Sequence, residues 1–538
     1  MSKTPTTKPS WHRTAVVYQI YPRSFRDAAG KNGIGDLAGI IEKLDYLNDG
    51  TKNSLGVTAI WLNPIYQSPM CDFGYDITDH CAIDPVFGDL AIFDRLVAEA
   101  HKRGIRIIMD FVANHTSVEH PWFVESRSSK ENPKRDWYVW RDAGQDGGPP
   151  NNWLSVFGGS AWELDPTTGQ YYLHSFLKCQ PDLNWRNADV RREMEKVLRF
   201  WLARGVDGFR TDAAHFLMKD SEFRDDPANP KYVAGVDNPY ESLLHVHSQG
   251  APDLAMTTNG LCDVIGEDDD AFMVSEAYVE FPEMIEYYKA CENRRQAPLN
   301  FGFLFLPWSA RLYKDAIDQL EKSLAPNEWP NYVFGNHDYS RVATRLGQER
   351  ARLAAMLLFT LRGMPFVYYG DELGMENIKI PAGHEIDPFG KNVPGFDVGR
   401  DPERTPMQWN ANANAGFSDS TPWLPVAADF KTRNVEAQSA DKHSMLSLYK
   451  KLIHLRADSS ALLLGAYVPM ESGNENVLVF ARQSDSEKMI IAINFSDEEQ
   501  TVEVPPGGSV IFTSYSDGRG EKVTGELRLR VYEGVIIV

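Results

Sequence analysis

Four stretches, far apart in the chain, share one grammar: a short apolar run of β type that ends on acidic or basic residues. They are Asp110-Phe-Val-Ala-Asn-His115, Gly208-Phe-Arg-Thr-Asp212, Phe272-Met-Val-Ser-Glu276 and Phe334-Gly-Asn-His-Asp338. The β-type segments, predicted over 105–109, 206–209, 272–275 and 332–334, run directly into these side chains. Parallel strands of a closed barrel deliver their last residues to one rim, and that is the arrangement this grammar fits.

The segments around them alternate in the same sense. Strands are predicted at 15–20, 58–62 and 365–369, and helices at 34–48, 90–102, 191–203 and 444–455. Strand and helix at this pitch argue for βα units on a parallel sheet. Two stretches break the rhythm. Residues 115–186 are rich in Trp, Pro, Asn and Gly and read as an inserted subdomain. Residues 217–270 read as a long surface loop whose acidic run Glu267-Asp-Asp-Asp270 is solvated rather than metal-binding. From 459 onward only strands and polar turns are predicted, as in a β-sandwich. The expected architecture is therefore α/β: a (β/α)₈ barrel over 1–114 and 187–458, an insert over 115–186, and a C-terminal β domain over 459–538. A chain of 538 residues is too long for one core and suits such a division.

Charge narrows the partners. A formal net charge of −20 argues against nucleic acid and anionic membranes, which need clustered Lys and Arg. The cysteines (Cys71, Cys81, Cys179, Cys262, Cys291) are odd in number and have no Cys-x-x-Cys spacing. They read as buried free thiols of a reducing compartment. No apolar run reaches signal-peptide length behind the polar N-terminus, or the roughly 18 residues of a membrane span. The expectation is a cytoplasmic protein, monomer or homodimer.

The order and wording of the four motifs resemble the α-amylase family of glycoside hydrolases, over nearly the whole chain. Cleavage with retention needs a carboxylate nucleophile and a carboxylic acid about 5–5.5 Å apart. Asp212 and Glu276, at the ends of adjacent strands, suit these parts. Arg210, two residues before Asp212, points to the same side and would keep it ionised. Glu276 follows an apolar run, a setting that raises a carboxyl pKa. Any one such residue is more often a solvated strand cap; four motifs in order reverse the odds. By resemblance, Asp338 grips the sugar ring as a third catalytic carboxylate, and His115 and His337 clamp hydroxyls. Asp110 supports them from behind. Asp72-Phe-Gly-Tyr-Asp76 resembles the segment whose Asp and Tyr hold the terminal glucose, which gives Asp72 and Tyr75. Phe176 and Arg400 join them, with Arg404 a competitor of Arg400.

Two signatures narrow the branch. Gln180-Pro-Asp-Leu-Asn184 resembles the marker of the oligo-1,6-glucosidase branch of exo-acting enzymes. Ala213, just after the expected nucleophile, resembles members that prefer α-1,4 over α-1,6 linkages. The resemblance thus implies a retaining α-glucosidase of the maltase type, acting on maltose, malto-oligosaccharides or sucrose, with transfer to other acceptors as a side activity. The alternatives are a sucrose-active or isomaltulose- or trehalose-forming relative, or an α-1,6-specific one. No cofactor is required. Relatives often carry a calcium loop after the first strand. Here Asp27, Asn32 and Asp36 are the candidate ligands, fewer than the six to eight or so oxygens calcium takes.

Overall fold

The computed structural model describes residues 9–30, 32–291 and 295–538. Among them, eight parallel strands build one sheet: β1 (Val17–Ile20), β2 (Ala59–Leu62), β3 (Arg106–Val112), β4 (Gly208–Asp212), β5 (Phe272–Ser275), β6 (Gln296–Pro298), β7 (Asn331–Val333) and β8 (Met364–Tyr368). Their order is β6-β5-β4-β3-β2-β1-β8-β7, consecutive strands side by side, as a barrel requires. The strands at its two ends, β6 and β7, are joined by a side chain. Asn331 Nδ2 donates to the Pro298 carbonyl (2.6 Å) and Asn331 Oδ1 accepts from Asn300 N (2.8 Å), so one amide closes the ring. The strands are buried along almost their whole length, which explains why they read as unbroken apolar runs.

The helices behave as their spacing demands. Leu90–Lys102 starts at Asp89, whose carboxylate accepts from Ile92 N (2.9 Å), and it buries Phe93, Leu96, Val97 and Ala100. The long helix expected over 34–48 is instead two short ones, Leu37–Glu42 and Leu44–Leu47, broken at Lys43. A second departure is larger: the stretch expected as loop between β4 and β5 contains the helix Leu254–Gly266. Its Thr257-Thr-Asn-Gly260 centre carries poor helix formers, and packing against the helix Ala188–Leu202 overrides that weakness.

Residues 140–173 contribute a small antiparallel sheet of Trp140–Arg141, Gln170–Leu173 and Trp162–Asp165. It packs over the loop that follows β4: Trp153 Nε1 donates to the Arg224 carbonyl (2.8 Å), and the ring stacks on Phe223. Beyond the helix Met445–Asp458 the chain forms a five-stranded antiparallel sheet. A two-stranded one, Gln500–Glu503 with Glu526–Leu529, accompanies it, and their facing residues share a core of Val479, Ala492, Val502, Leu527 and Val535. No helix among the described residues is long and apolar enough to cross a membrane.

The cysteine expectation is overturned. Cys71 is bonded to Cys179 across 108 residues, and Cys262 to Cys291; among the described residues Cys81 alone is a free thiol. The scattered spacing concealed this because each bond joins different elements, whose Cα atoms the fold brings within 6.8 Å and 5.8 Å. The ground for a reducing compartment falls with it.

Candidate active site

The register of β3 on β4 sets the chemistry of the rim. Asp110 is the neighbour of Arg210, and Val112 of Asp212, so Asp110, Arg210 and Asp212 project on one side. Arg210 is fully buried and divides its guanidinium among three acids. Nη1 reaches Asp110 Oδ1 (2.6 Å) and Asp212 Oδ1 (2.7 Å), and Nη2 reaches Glu276 Oε1 (2.7 Å). The other oxygen of Glu276 accepts from the backbone N–H of Ala213 (2.8 Å). Ala213 has φ of +45°, the left-handed region that non-glycine residues rarely adopt, and this turn aims its N–H across at Glu276.

One cation among three buried carboxylates leaves an excess of negative charge. Burial raises Glu276 above the ordinary range, with Arg210 pulling the other way and Asp338 adding to the rise. Burial also raises Asp212 against Arg210, and pushes Asp110 up to about 6. The set therefore holds a proton where isolated carboxyls would have lost theirs, and its titration belongs to the group rather than to one member.

Asp338 is in the opposite condition. Burial would raise it, yet the guanidiniums of Arg404 and Arg400 outweigh that and hold it well below the usual carboxylate range. Arg404 Nη2 lies 2.8 Å and Arg400 Nη1 3.4 Å from its Oδ1, and His337 Nε2 lies 3.2 Å from Oδ2. The sequence left Arg400 and Arg404 as competitors; both touch Asp338, but Arg400 also reaches Asp72 Oδ1 (2.7 Å) and lines the cleft. Burial keeps His337 neutral, far below its ordinary pKa. Its Nδ1 faces the donor Gln19 Nε2 (2.9 Å), which puts the ring proton on Nε2, facing the Tyr75 hydroxyl (2.6 Å). Tyr75 in turn donates to Asp110 Oδ2 (3.1 Å). A single hydrogen-bonded chain thus runs from β1 to the carboxylate set.

These groups border a cleft of about 840 Å³. Asp72, Tyr75, His115, Phe176, Asp212, Glu276, His337, Asp338 and Arg400 all line it, while Arg210 and Asp110 lie beneath its floor. His115 Nε2 sits 3.1 Å from the Tyr75 carbonyl oxygen, and its ring packs on Phe176 at 5.2 Å. Sequence reading missed Asp387. It holds Arg400 through Oδ1 (2.7 Å) and accepts from the Arg400 backbone N–H (2.9 Å). It stands in a loop with no strand or motif to mark it. Lys219, buried against Asp182 (2.6 Å) and Asn114 (2.8 Å), was missed for the same reason. The outer wall comes from 229–249 and from Tyr278, Phe305 and Tyr339, where Leu244 and Phe305 stand open to solvent.

The calcium candidates do not fit a cation. Asp27 accepts from Gly30 N (2.7 Å), Gly33 N (3.1 Å) and Ser418 Oγ (2.7 Å). Asp36 accepts from Gly39 N (2.6 Å) and Ala29 N (3.2 Å), and Asn32 Oδ1 from Ile34 N (3.0 Å). The three side chains are turned into hydrogen bonds of their own loop and of Ser418, and together they offer fewer oxygens than the six to eight or so that calcium takes.

Known proteins resemble the chain over most of its length. The α-amylase catalytic-domain family model matches residues 19–465. The chain is 38% identical to an oligo-1,6-glucosidase of Parageobacillus thermoglucosidasius, over 97% of this chain and 98% of that one. It is 40% identical to a probable α-glucosidase of Rhizobium meliloti (strain 1021), over 92% and 91%. A solved α-glucosyl transfer enzyme superposes with a TM-score of 0.92 at 39% identity, over 98% of this chain and 99% of that one.

Proposed function

The chain belongs to the α-amylase family of glycoside hydrolases, and from that premise we propose a retaining, exo-acting α-glucosidase with Asp212 as nucleophile and Glu276 as acid and base. The observation that carries the assignment is Arg210, which grips both carboxylates at once on the floor of the cleft. Glu276 gives its proton to the leaving oxygen as Asp212 forms a bond to the anomeric carbon and the glycosidic bond breaks. Glu276, now ionised, takes a proton from water or an acceptor hydroxyl, which displaces Asp212 and restores the α configuration.

Asp338, held ionised by Arg400 and Arg404, accepts hydroxyl protons of the bound glucose. Asp72 and Arg400 close the end of the cleft against its non-reducing terminus. That closed end favours exo attack on short α-glucosides. Ala213 leans the linkage preference toward α-1,4, and the likeness to a glucosyl transfer enzyme supports transfer beside hydrolysis.

Chromatography of products from maltose, isomaltose, sucrose and soluble starch tests the reading. Fast glucose release from maltose, with little from isomaltose or starch, is expected; longer or rearranged sugars would reveal transfer. Preference for isomaltose would overturn the role given to Ala213, and inertness on all four the activity itself.

A further inference from the structure

We infer that the Cys71–Cys179 disulfide is a positioning element of the terminal-glucose end of the cleft, so that substrate affinity follows the oxidation state of this bond. The inference rests on reading Asp72 and Arg400 as that end of the site.

Two loops of separate origin meet there. One follows β2 and carries Cys71 and Asp72; the other leaves the inserted segment and carries Cys179 and Gln180. Each is anchored on its own side. Asp76 accepts from Cys71 N (2.8 Å) and Asp72 N (2.9 Å), while Asp182 is paired with Lys219 (2.6 Å). Two ties join them side by side: the disulfide, and the hydrogen bond from Gln180 Nε2 to Asp72 Oδ2 (3.2 Å) between the residues that follow each cysteine. The second tie is buried, and the other oxygen of Asp72 receives Arg400. Splaying the loops by an ångström or so would therefore disturb Asp72, and through it Arg400, without moving Asp212 or Glu276. A disulfide across 108 residues restricts such local opening.

Cys71 is exposed, whereas Cys262 and Cys291 are both buried, so a dissolved dithiol reaches the first pair selectively. One reagent thiolate attacks the Cys71 sulfur, the bond to Cys179 breaks, and Cys179 leaves as a thiolate that takes up a proton. The second reagent thiol then displaces Cys71, giving two protein thiols and one reagent disulfide.

The test compares the oxidised enzyme, the enzyme reduced by a dithiol, and the Cys71→Ser/Cys179→Ser variant. Thiol titration without denaturant follows the bond, and calorimetry reads binding of a glucose-shaped iminosugar. If the untied loops hold the binding geometry a tenth of the time, iminosugar Kd and substrate KM both rise about tenfold. kcat changes little, and reoxidation of the wild-type enzyme restores both constants. A Cys262→Ser/Cys291→Ser variant lowers thermal stability with Kd unchanged. Equal Kd in oxidised and reduced wild-type enzyme, with two new thiols titrated, overturns the inference even if the serine variant fails to fold. So does a rise of equal size in the Cys262 and Cys291 variant. Because binding is read directly, inertness toward every sugar would sink the proposed activity and still leave this test decisive.

Discussion

The two ends of the barrel bury arginines in different company. At the rim, Arg210 and Arg400 are desolvated, which alone would lower their pKa, but the carboxylates around them more than reverse the effect. At the opposite end, Arg456 and Arg482 are as deeply buried and meet backbone carbonyls. Arg456 holds Phe359 O (2.9 Å) and Leu361 O (2.7 Å), and Arg482 holds Thr360 O (2.7 Å) and Gly465 O (2.8 Å). Burial pushes Arg456 down to about 10 and lowers Arg482 as well. These two satisfy the carbonyls at the end of the helix Gln348–Thr360, where the helix dipole also favours a cation. Buried charge serves chemistry at one end, where it leaves acids competing for protons, and structure at the other, where it closes a helix. Arg482 comes from the C-terminal β domain, so the same contact fixes that domain to the barrel.

Substitution at each end should separate the two uses. The largest effect is expected for Asp212→Asn and Glu276→Gln, which should lower kcat by about a thousandfold or more. Their melting temperatures should hold or rise, since Asp212→Asn takes a charge from a crowded acidic set and Glu276→Gln replaces a protonated acid with a neutral amide; kinetics with maltose and a thermal melt check both. A Glu276→Gln enzyme with a tenth of wild-type kcat would refute the role given to it. Arg482→Met should do the reverse. It strands helix-end carbonyls, costs about 1.5–3 kcal/mol in denaturant unfolding, and leaves kcat/KM of the folded enzyme as it was.

The pH profile sharpens the contrast further. Catalysis needs a protonated acid, and Glu276 is raised, so kcat/KM stays high below that raised value and falls as pH climbs through it. With an activated aryl glucoside, Glu276→Gln should lose this alkaline limb. Asp338 is depressed and stays ionised well into acid, so Asp338→Asn should lower the rate without moving the acid limb. A shifted acid limb would show that Asp338 belongs to the shared proton set. The smallest effect is expected at Ala213. A valine there places a β-branched side chain at positive φ, and should cost about 1–2 kcal/mol of stability while tilting the isomaltose-to-maltose ratio of kcat/KM upward a few-fold.

What could be read in the chain and what could not divide along a physical line. The barrel strands were legible because burial on both faces demands apolar runs, and the rim residues because each run stops at a charged one. β6 was not: Gln296-Ala-Pro298 is three residues long and closes through Asn331, which no periodicity announces. The helix Leu254–Gly266 was hidden by its Thr-Thr-Asn-Gly centre. Asp387 and Lys219 stand in loops, whose residues gain meaning from what faces them.

The sequence by itself determined the alternation of strand and helix, the set of acids at the strand ends and the family they mark, because apolar periodicity and strand-end residues are local properties. The tertiary structure alone decided how charge is shared among those acids, which of Arg400 and Arg404 reaches Asp72, that Asp27 and Asp36 spend their oxygens on backbone N–H groups, and which cysteines pair. Each of these depends on a distance between segments remote in the chain, and such a distance exists only once the chain has folded.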